Sequence, residues 1–284
     1  MDDELVAYVE RRLGPCTTTR VSGLPERNII RISDARGQAW FAKQVPSDDE
    51  WWAEATAYRE WVPAFQDQAP RLCAADRDLR AILISAVPGR IRAGWGASLQ
   101  HDAGSLLRRV HESRPSRPDP EPIGEVMVQR FKKRQPHLKR MFSRRELSLA
   151  LGQVRALREL PTQQLVPCHC DYQPGNWIVD EDAVVRVIDF TTAEWHAPAF
   201  DMTAIALIRW WGRPDLREAF CEGYGRELDQ TEIELLRRCS LIRSMAMVRR
   251  GRLHAQPGLE ARGRERVADL LSGGHQFAAT FSQT

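Results

Sequence analysis

Apolar and polar positions alternate in short runs through the first third of the chain and recur at three- and four-residue intervals after it. Thr17 to Val21, Asn28 to Ile32, Ala39 to Val45 and Ala81 to Ser85 are brief, β-branched or alternating stretches, which predicts strands. Between the last two, Ser47-Asp48-Asp49-Glu50 offers an N-cap and an acidic first turn. Trp52, Ala55, Tyr58 or Arg59, and Val62 then follow at helical spacing. One helix is therefore expected among several strands. Past Pro88-Gly89, which breaks regular structure, the pattern turns helical over Leu99 to His111, about Glu125 to Arg140, and Arg144 to Leu160. A strand-turn-strand is expected at 176–190, then helices at roughly 199–211, 214–225, 230–252 and 259–272. The proline-rich 114–124 reads as a loop, and the last ten residues are expected to fray. The pattern predicts an α+β fold: a small strand-rich lobe over 1–85, a hinge, and a larger helical lobe over 86–284.

Composition narrows this picture. At 284 residues and 43% hydrophobic content the chain can bury a real core. It has no run of about 18 apolar residues, and its first twenty residues are charged, so a cytoplasmic protein with no membrane partner is expected. The six cysteines are scattered without a CxxC pair, as free thiols are in a reducing compartment. Cys168-His169-Cys170 lacks the paired spacing and second ligand cluster of a structural zinc site. A net charge of +3 does not imply nucleic-acid binding, but the run at 128–145 is densely basic. That run is either a solvated helix face or a surface that receives an anionic group of a substrate or nucleotide. Of the 41 basic residues only Lys43, Lys132, Lys133 and Lys139 are lysines, which singles out Lys43 in its strand-like setting.

The most informative stretch is His169-Cys170-Asp171-Tyr172-Gln173-Pro174-Gly175-Asn176, followed thirteen residues later by Asp189 in Ile188-Asp189-Phe190. Pro174 and Gly175 keep Asp171 in a loop, where its carboxylate can orient an incoming hydroxyl or accept its proton. Asn176 opens a strand, and a hairpin turning at Glu181-Asp182 returns Asp189 to the same place. An amide and a carboxylate oxygen there suit Mg²⁺.

HCDYQPGNW and VIDFTTAEWHAPAFDM resemble the HxDxxxxN and IDF…PxxD signatures of the aminoglycoside phosphotransferases and related small-molecule kinases. The resemblance implies a protein-kinase-like, two-lobed fold with an N-terminal nucleotide-binding lobe and a C-terminal catalytic and substrate-binding lobe. It implies ATP or GTP as phosphoryl donor and Mg²⁺ as cofactor. By resemblance Asp171 is the catalytic base, Asn176 and Asp189 hold the metal, His169 supports the loop, and Asp201 is a mainly structural carboxylate. Lys43 matches the strand lysine that holds the α- and β-phosphates, and Glu54 its helical partner, with Glu60 as competitor. Ser22 and Gly23 fall in the loop folded over the phosphates. Main-chain groups near Ser85 and Val87 fall at the hinge that meets the purine. His111 also fits a family helix, as a packed histidine. Cys170 stands where the family commonly has Gly, and Thr191 where a protein kinase would have Gly.

The acceptor is expected in the helical lobe, with Glu194, Trp195, His196, Trp210, Trp211 and the 125–160 helices as candidate lining. A site for polycationic aminoglycosides calls for clustered carboxylates, whereas this chain places its densest basic run there. The expected activity is an O-phosphotransferase that inactivates an antibiotic that is not strongly cationic, with nucleoside- or sugar-containing compounds among the candidates. A metabolite kinase for choline, thiamine, a sugar or an amino alcohol shares the same motif. An inactive kinase fold serving as a binding module is the reading from another class. The expected partner is a small molecule with a hydroxyl acceptor, bound by a monomer or homodimer.

Overall fold

A computed structural model describes residues 3–21, 28–91 and 96–281. In chain order its elements are α1 (Asp3–Leu13), β1 (Cys16–Arg20), β2 (Asn28–Asp34), β3 (Ala39–Gln44), α2 (Asp48–Thr56), β4 (Leu72–Asp76), β5 (Ala81–Ser85), α3 (Ala97–His111), β6 (Arg117–Pro118), α4 (Ile123–Leu138) and α5 (Arg144–Arg155). There follow β7 (Gln164–Cys168), β8 (Trp177–Val179), β9 (Val185–Val187), β10 (Glu194–His196), α6 (Pro198–Ile205), α7 (Pro214–Tyr224), α8 (Gln230–Leu253), α9 (Pro257–Leu271) and α10 (His275–Ala279). They divide into two compact units, Met1–Gly94 with Pro174–Glu194, and Trp95–Gln173 with Trp195–Thr284.

The first unit is built on an antiparallel sheet in the order β1-β2-β3-β5-β4. Side chains alternate across a strand, so neighbouring residues face opposite sides. Ile30 and Ile32 of β2, Ala42 of β3, and Ala81 and Leu83 of β5 share one buried cluster with Leu5, Tyr8 and Val9 of α1. Lys43, next to Ala42, turns to the opposite face. α2 begins at Ser47, whose hydroxyl accepts the Glu50 N–H at 3.2 Å, and its buried face carries Trp51, Glu54 and Ala55. The helix then loosens into a π turn at Ala57–Trp61 and a 3₁₀ segment at Val62–Gln68.

The β8-β9 hairpin groups with this sheet, although the sequence pattern assigned everything past residue 85 to the helical lobe. Short-range packing explains the grouping. Arg90 and Val179 exchange main-chain hydrogen bonds of 3.0 Å in both directions. Gly89 sits so close that a Cβ there would lie 2.5 Å from the Val179 carbonyl carbon. The Gln68 amide also donates to the Val185 carbonyl at 2.9 Å, and Phe190 packs against Tyr58 and Phe65.

The second unit is mainly helical, with a small sheet in the order β10-β7-β6. α3 and α7 meet backbone to backbone. A Cβ on Gly104 would lie 2.1 Å from the Phe220 carbonyl oxygen, and one on Gly223 would lie 1.9 Å from that of His101. The tight crossing holds the loop that carries Asp171, because the buried Tyr172 hydroxyl donates to the Ala103 carbonyl at 2.6 Å. α8 starts with a full capping box between Asp229 and Glu232 and packs on α6 and α9.

The expected strands and helices recur at nearly their expected places, with several additions. α1, β4, β6, β7, β10 and α10 are further elements, and β6 lies inside the segment read as a loop. The helix expected to 211 ends at Ile205 and continues as a π turn through Trp210. The helix expected to Leu160 ends at Arg155 and closes as a 3₁₀ turn. α10 lies within the stretch expected to fray, where Phe277 is buried against Trp211 and Phe281.

Candidate active site

In the first unit, four side chains form a closed polar ring. Lys43 Nζ lies 3.1 Å from Glu54 Oε1 and 2.6 Å from Asp189 Oδ1, and it also donates to the Thr191 hydroxyl. Thr191 Oγ1 is in turn 3.1 Å from Glu54 Oε2 and 2.5 Å from Asp189 Oδ1. One hydroxyl proton serves only one of these carboxylates at a time, so the ammonium supplies the rest of the bonding. Lys43 and Glu54 are 8% and 1% exposed in their side chains, whereas Asp189 is 36% exposed. The ring therefore has a dry end at Glu54 and an open end at Asp189. Burial pushes the Glu54 carboxyl above its ordinary value, against the pull of Lys43, and the charge of Asp189 adds to the rise. Glu60 is exposed on the following π turn.

Asn176 is brought beside this ring by hairpin register. Trp177 pairs with Val187, and the Asn176 carbonyl accepts the Ile188 N–H at 3.0 Å, one residue before Asp189. Asp189 is held at a φ of 66°, a region that side-chain-bearing residues rarely occupy. An amide and a carboxylate from adjacent hairpin positions form the hard oxygen donor set that Mg²⁺ takes, so these residues fit a divalent cation.

In the second unit, the loop carrying Asp171 is fastened from behind. The fully buried Asp201 accepts the His169 N–H at 2.8 Å, the Cys170 N–H, and the His111 ring at 3.1 Å. The other ring nitrogen of His111 meets the Tyr224 hydroxyl at 2.8 Å. Burial works to raise the Asp201 pKa, but the His111 bond and charge and the His169 contacts outweigh it and hold the group below its ordinary value. Cys168 joins His111 and Asp201 in a buried cluster with side-chain atoms within 4.8 Å. Its hydrogen bonds make it a brace for the loop. Cys170 has a φ of 60°, which accounts for the glycine common at this position in the resembling family. Beyond it, the Asp171 N–H donates to the His169 ring at 3.3 Å. The Asp171 carboxylate receives the Gln173 amide at 2.9 Å on Oδ2 and the Arg243 guanidinium on Oδ1.

The remaining candidates divide. Ser22 and Gly23 lie outside the described residues. At the hinge, the Ser85 N–H is taken by the Arg71 carbonyl at 2.9 Å and the Ala86 N–H by that of Ala39 at 3.0 Å. Val87, whose N–H enters no main-chain bond among the described residues, has the donor that Ser85 lacks. A cavity of about 780 Å³ beside the hinge is lined by Tyr58, Gln66, Arg71, Ser85 and Val87 among others, and includes none of Lys43, Glu54 or Asp189. His196 is buried, stacked on Phe200 at 3.7 Å and bonded through Nδ1 to the Ala197 N–H, which makes it a packing residue. Glu194 and Trp195 are half-buried, and the Arg117 guanidinium lies 4.1 Å over the Trp195 ring. Trp210 is core, with its indole on Gln100, and Trp211 bonds to Gln276. Thr191, Gln173 and Arg243 were not expected at the site. Gln173 and Thr191 each meet a carboxylate two residues away, Asp171 and Asp189, whereas Arg243 reaches Asp171 only through tertiary packing.

A small antiparallel sheet with a buried Lys–Glu pair, a hairpin bearing Asn and Asp, and a larger helical unit define a protein-kinase-like fold. The phosphotransferase enzyme family model matches residues 18–236, and the chain belongs to that family of nucleotide-dependent phosphotransferases. No curated protein matches it significantly in sequence. Among solved structures, a thermostable mutant of aminoglycoside phosphotransferase APH(4)-Ia matches with a TM-score of 0.70 at 12% identity, over 95% of this chain and 99% of that one. Amicoumacin kinase hAmiN, solved with AMP-PNP, Ca²⁺ and amicoumacin, matches at 0.68 and 15% identity, over 95% and 94%. Spectinomycin phosphotransferase APH(9)-Ia, solved with ADP and spectinomycin, matches at 0.63 and 13% identity, over 96% and 98%. These likenesses are of fold. No helix among the described residues is long and apolar enough to cross a membrane.

Proposed function

We propose that this chain transfers the γ-phosphoryl group of ATP or GTP to a hydroxyl of a small molecule, and that the acceptor is an antibiotic without strong positive charge. The observation that carries this reading is the Lys43–Glu54–Asp189 ring with Asn176 in register beside it, in a chain of the phosphotransferase family. The solved relatives include enzymes complexed with nucleotide and antibiotic, which supports the same donor and acceptor classes.

The residues divide the work as follows. Lys43 holds the α- and β-phosphates and is aimed by Glu54 from the dry end of the ring. Asn176 and Asp189 would hold the divalent cation, which would offset the negative charge of the phosphates when bound. Asp171 orients the acceptor hydroxyl and takes its proton. The acceptor oxygen bonds to the γ-phosphorus as the bond from that phosphorus to the β–γ bridging oxygen breaks, and nucleoside diphosphate leaves. Because the transition state of such transfers is loose, orientation contributes more than the basicity of Asp171.

The test is a screen of antibiotics and hydroxylated metabolites with purified protein, Mg²⁺ and γ-labelled ATP or GTP. Label on an antibiotic without strong positive charge is expected. Turnover of polyamine antibiotics alone contradicts the acceptor class, and efficient turnover of a choline, thiamine or sugar metabolite in place of any antibiotic makes the chain a metabolite kinase.

A further inference from the structure

The cation on Asp171 is an arginine from a distant helix. Arg243 lies near the middle of α8, and its guanidinium pairs with Asp171 Oδ1 while Gln173 occupies Oδ2. Both partners are mostly shielded, with side chains 28% and 31% exposed. A hydroxyl that approaches Asp171 on its Oδ1 side competes with the guanidinium for that oxygen. A displaced, partly dehydrated guanidinium costs free energy unless another anion receives it.

The acids of the surrounding helices are engaged elsewhere. On α8 the acids are Glu232 and Glu234, in its first turns. Glu232 pairs with Arg226, and Glu234 with Arg237 and Arg238. Glu125 of α4 pairs with Arg158, and Glu146 of α5 closes a capping box with Ser143. From Arg243 to Arg250, α8 carries no acid, and α4 packs against it with its own basic stretch. Burial lowers the Arg134 pKa first, and the like charges of Arg130 and of Arg249 on α8 add to the fall, so cations of the two helices lie near one another here.

We propose that Arg243 recognises the acceptor, and that the acceptor carries an anionic oxygen group, a carboxylate or a phosphate ester, close to the hydroxyl that is phosphorylated. Arg243 exchanges Asp171 for that group as the acceptor enters, which frees one carboxylate oxygen for the hydroxyl proton. A guanidinium suits either planar carboxylates or phosphates, through paired N–H donors. A polycationic acceptor meets repulsion at the same place. This inference rests on the phosphotransferase reading above.

The experiment uses the full chain with γ-labelled nucleotide, Mg²⁺ and matched acceptor sets. These are glycerol, glycerate and glycerol phosphate; galactose, galacturonate and galactose phosphate; a nucleoside and its monophosphate; and kanamycin as the polycation. The proposal expects anionic members to be favoured over their neutral partners, and the carboxylate and phosphate arms identify which anion is recognised. Arg243→Gln lowers the anionic-to-neutral ratio of kcat/KM by about tenfold to a hundredfold, mainly through KM, and Arg243→Lys restores part of it. Preference for neutral or cationic members overturns the proposal. So does nucleotide hydrolysis without transfer to any anionic member, or an Arg243→Gln loss that is equal for neutral and anionic acceptors. Absence of both transfer and nucleotide hydrolysis in the wild type removes the phosphotransferase reading itself.

Discussion

Lys43 Nζ stands 2.6 Å from Asp189 Oδ1, across 146 positions of sequence, and the same ammonium is 3.1 Å from the buried Glu54. A strand, a helix and a hairpin are thus tied at one cation, so stability and the proposed phosphate binding depend on the same side chain. Replacing Lys43 by Met leaves Glu54 without its buried counter-charge. A loss of about 3 to 5 kcal/mol is expected from urea unfolding, together with loss of turnover. The double variant Lys43→Met with Glu54→Leu should regain much of the stability and none of the activity.

Glu54 also sets a pH dependence. Its folded pKa is raised, first by burial and then by Asp189 against the pull of Lys43. For a raised group, the contribution to stability is present below the unfolded value and is lost as pH rises through the folded one. Holding Glu54 ionised at neutral pH therefore costs stability, and protonating it discharges the partner of Lys43. The kcat/KM for nucleotide should fall on the acid side at a pH above the ordinary 4.5 of this carboxyl. Glu54→Gln should be slow throughout and lack that limb, and an unchanged limb in the variant excludes Glu54 as its source.

Asp201 has the opposite sign. Its folded pKa is lowered by His111 and His169 in spite of burial, so its contribution is present above the unfolded value of 3.8 and is lost as pH falls through the folded value. Asp201→Asn should destabilise the protein by about 2 to 4 kcal/mol at neutral pH. The gap to wild type should narrow below pH 3.8, as read from urea midpoints across pH.

Two helical glycines should respond in opposite directions to the same substitution. Gly104→Ala puts a methyl 2.1 Å from the Phe220 carbonyl oxygen, which forces α3 from α7 and should cost about 1 to 3 kcal/mol or more. Gly152 in α5 has nothing within 4 Å of its Cβ position, so Gly152→Ala should stabilise by about 0.5 to 1 kcal/mol. Thermal unfolding of both variants is the measurement. Activity should fall in the first alone, because Ala103 anchors Tyr172.

How far the sequence reaches depends on whether the signal is local. Ser47 with its acidic turn, the alternation around Lys43, and the hairpin from Asn176 to Asp189 are written in neighbouring residues, and each forms. α1 carries Leu5, Tyr8 and Val9 at helical spacing, but its charged flanks mask so short an apolar face. β7 contains Pro167, and β4 pairs through an irregular register, so neither has a clean period of two. Arg243 is one of many arginines in α8, and only the tertiary fold singles it out by delivering it to Asp171. Thr191 stands two residues from Asp189, but its bond to Glu54, 137 positions away, comes only from the tertiary fold.

Transfer of γ-label from nucleotide to an acceptor hydroxyl, compared between wild type and Asp171→Ala with nucleotide affinity measured alongside, is the most direct experiment. The expected result is transfer by the wild type, a loss of at least about a hundredfold in the variant, and nucleotide binding within about twofold of wild type, since Asp171 lies outside the Lys43 ring. Transfer by Asp171→Ala at the wild-type rate contradicts the assignment of this loop as the catalytic one.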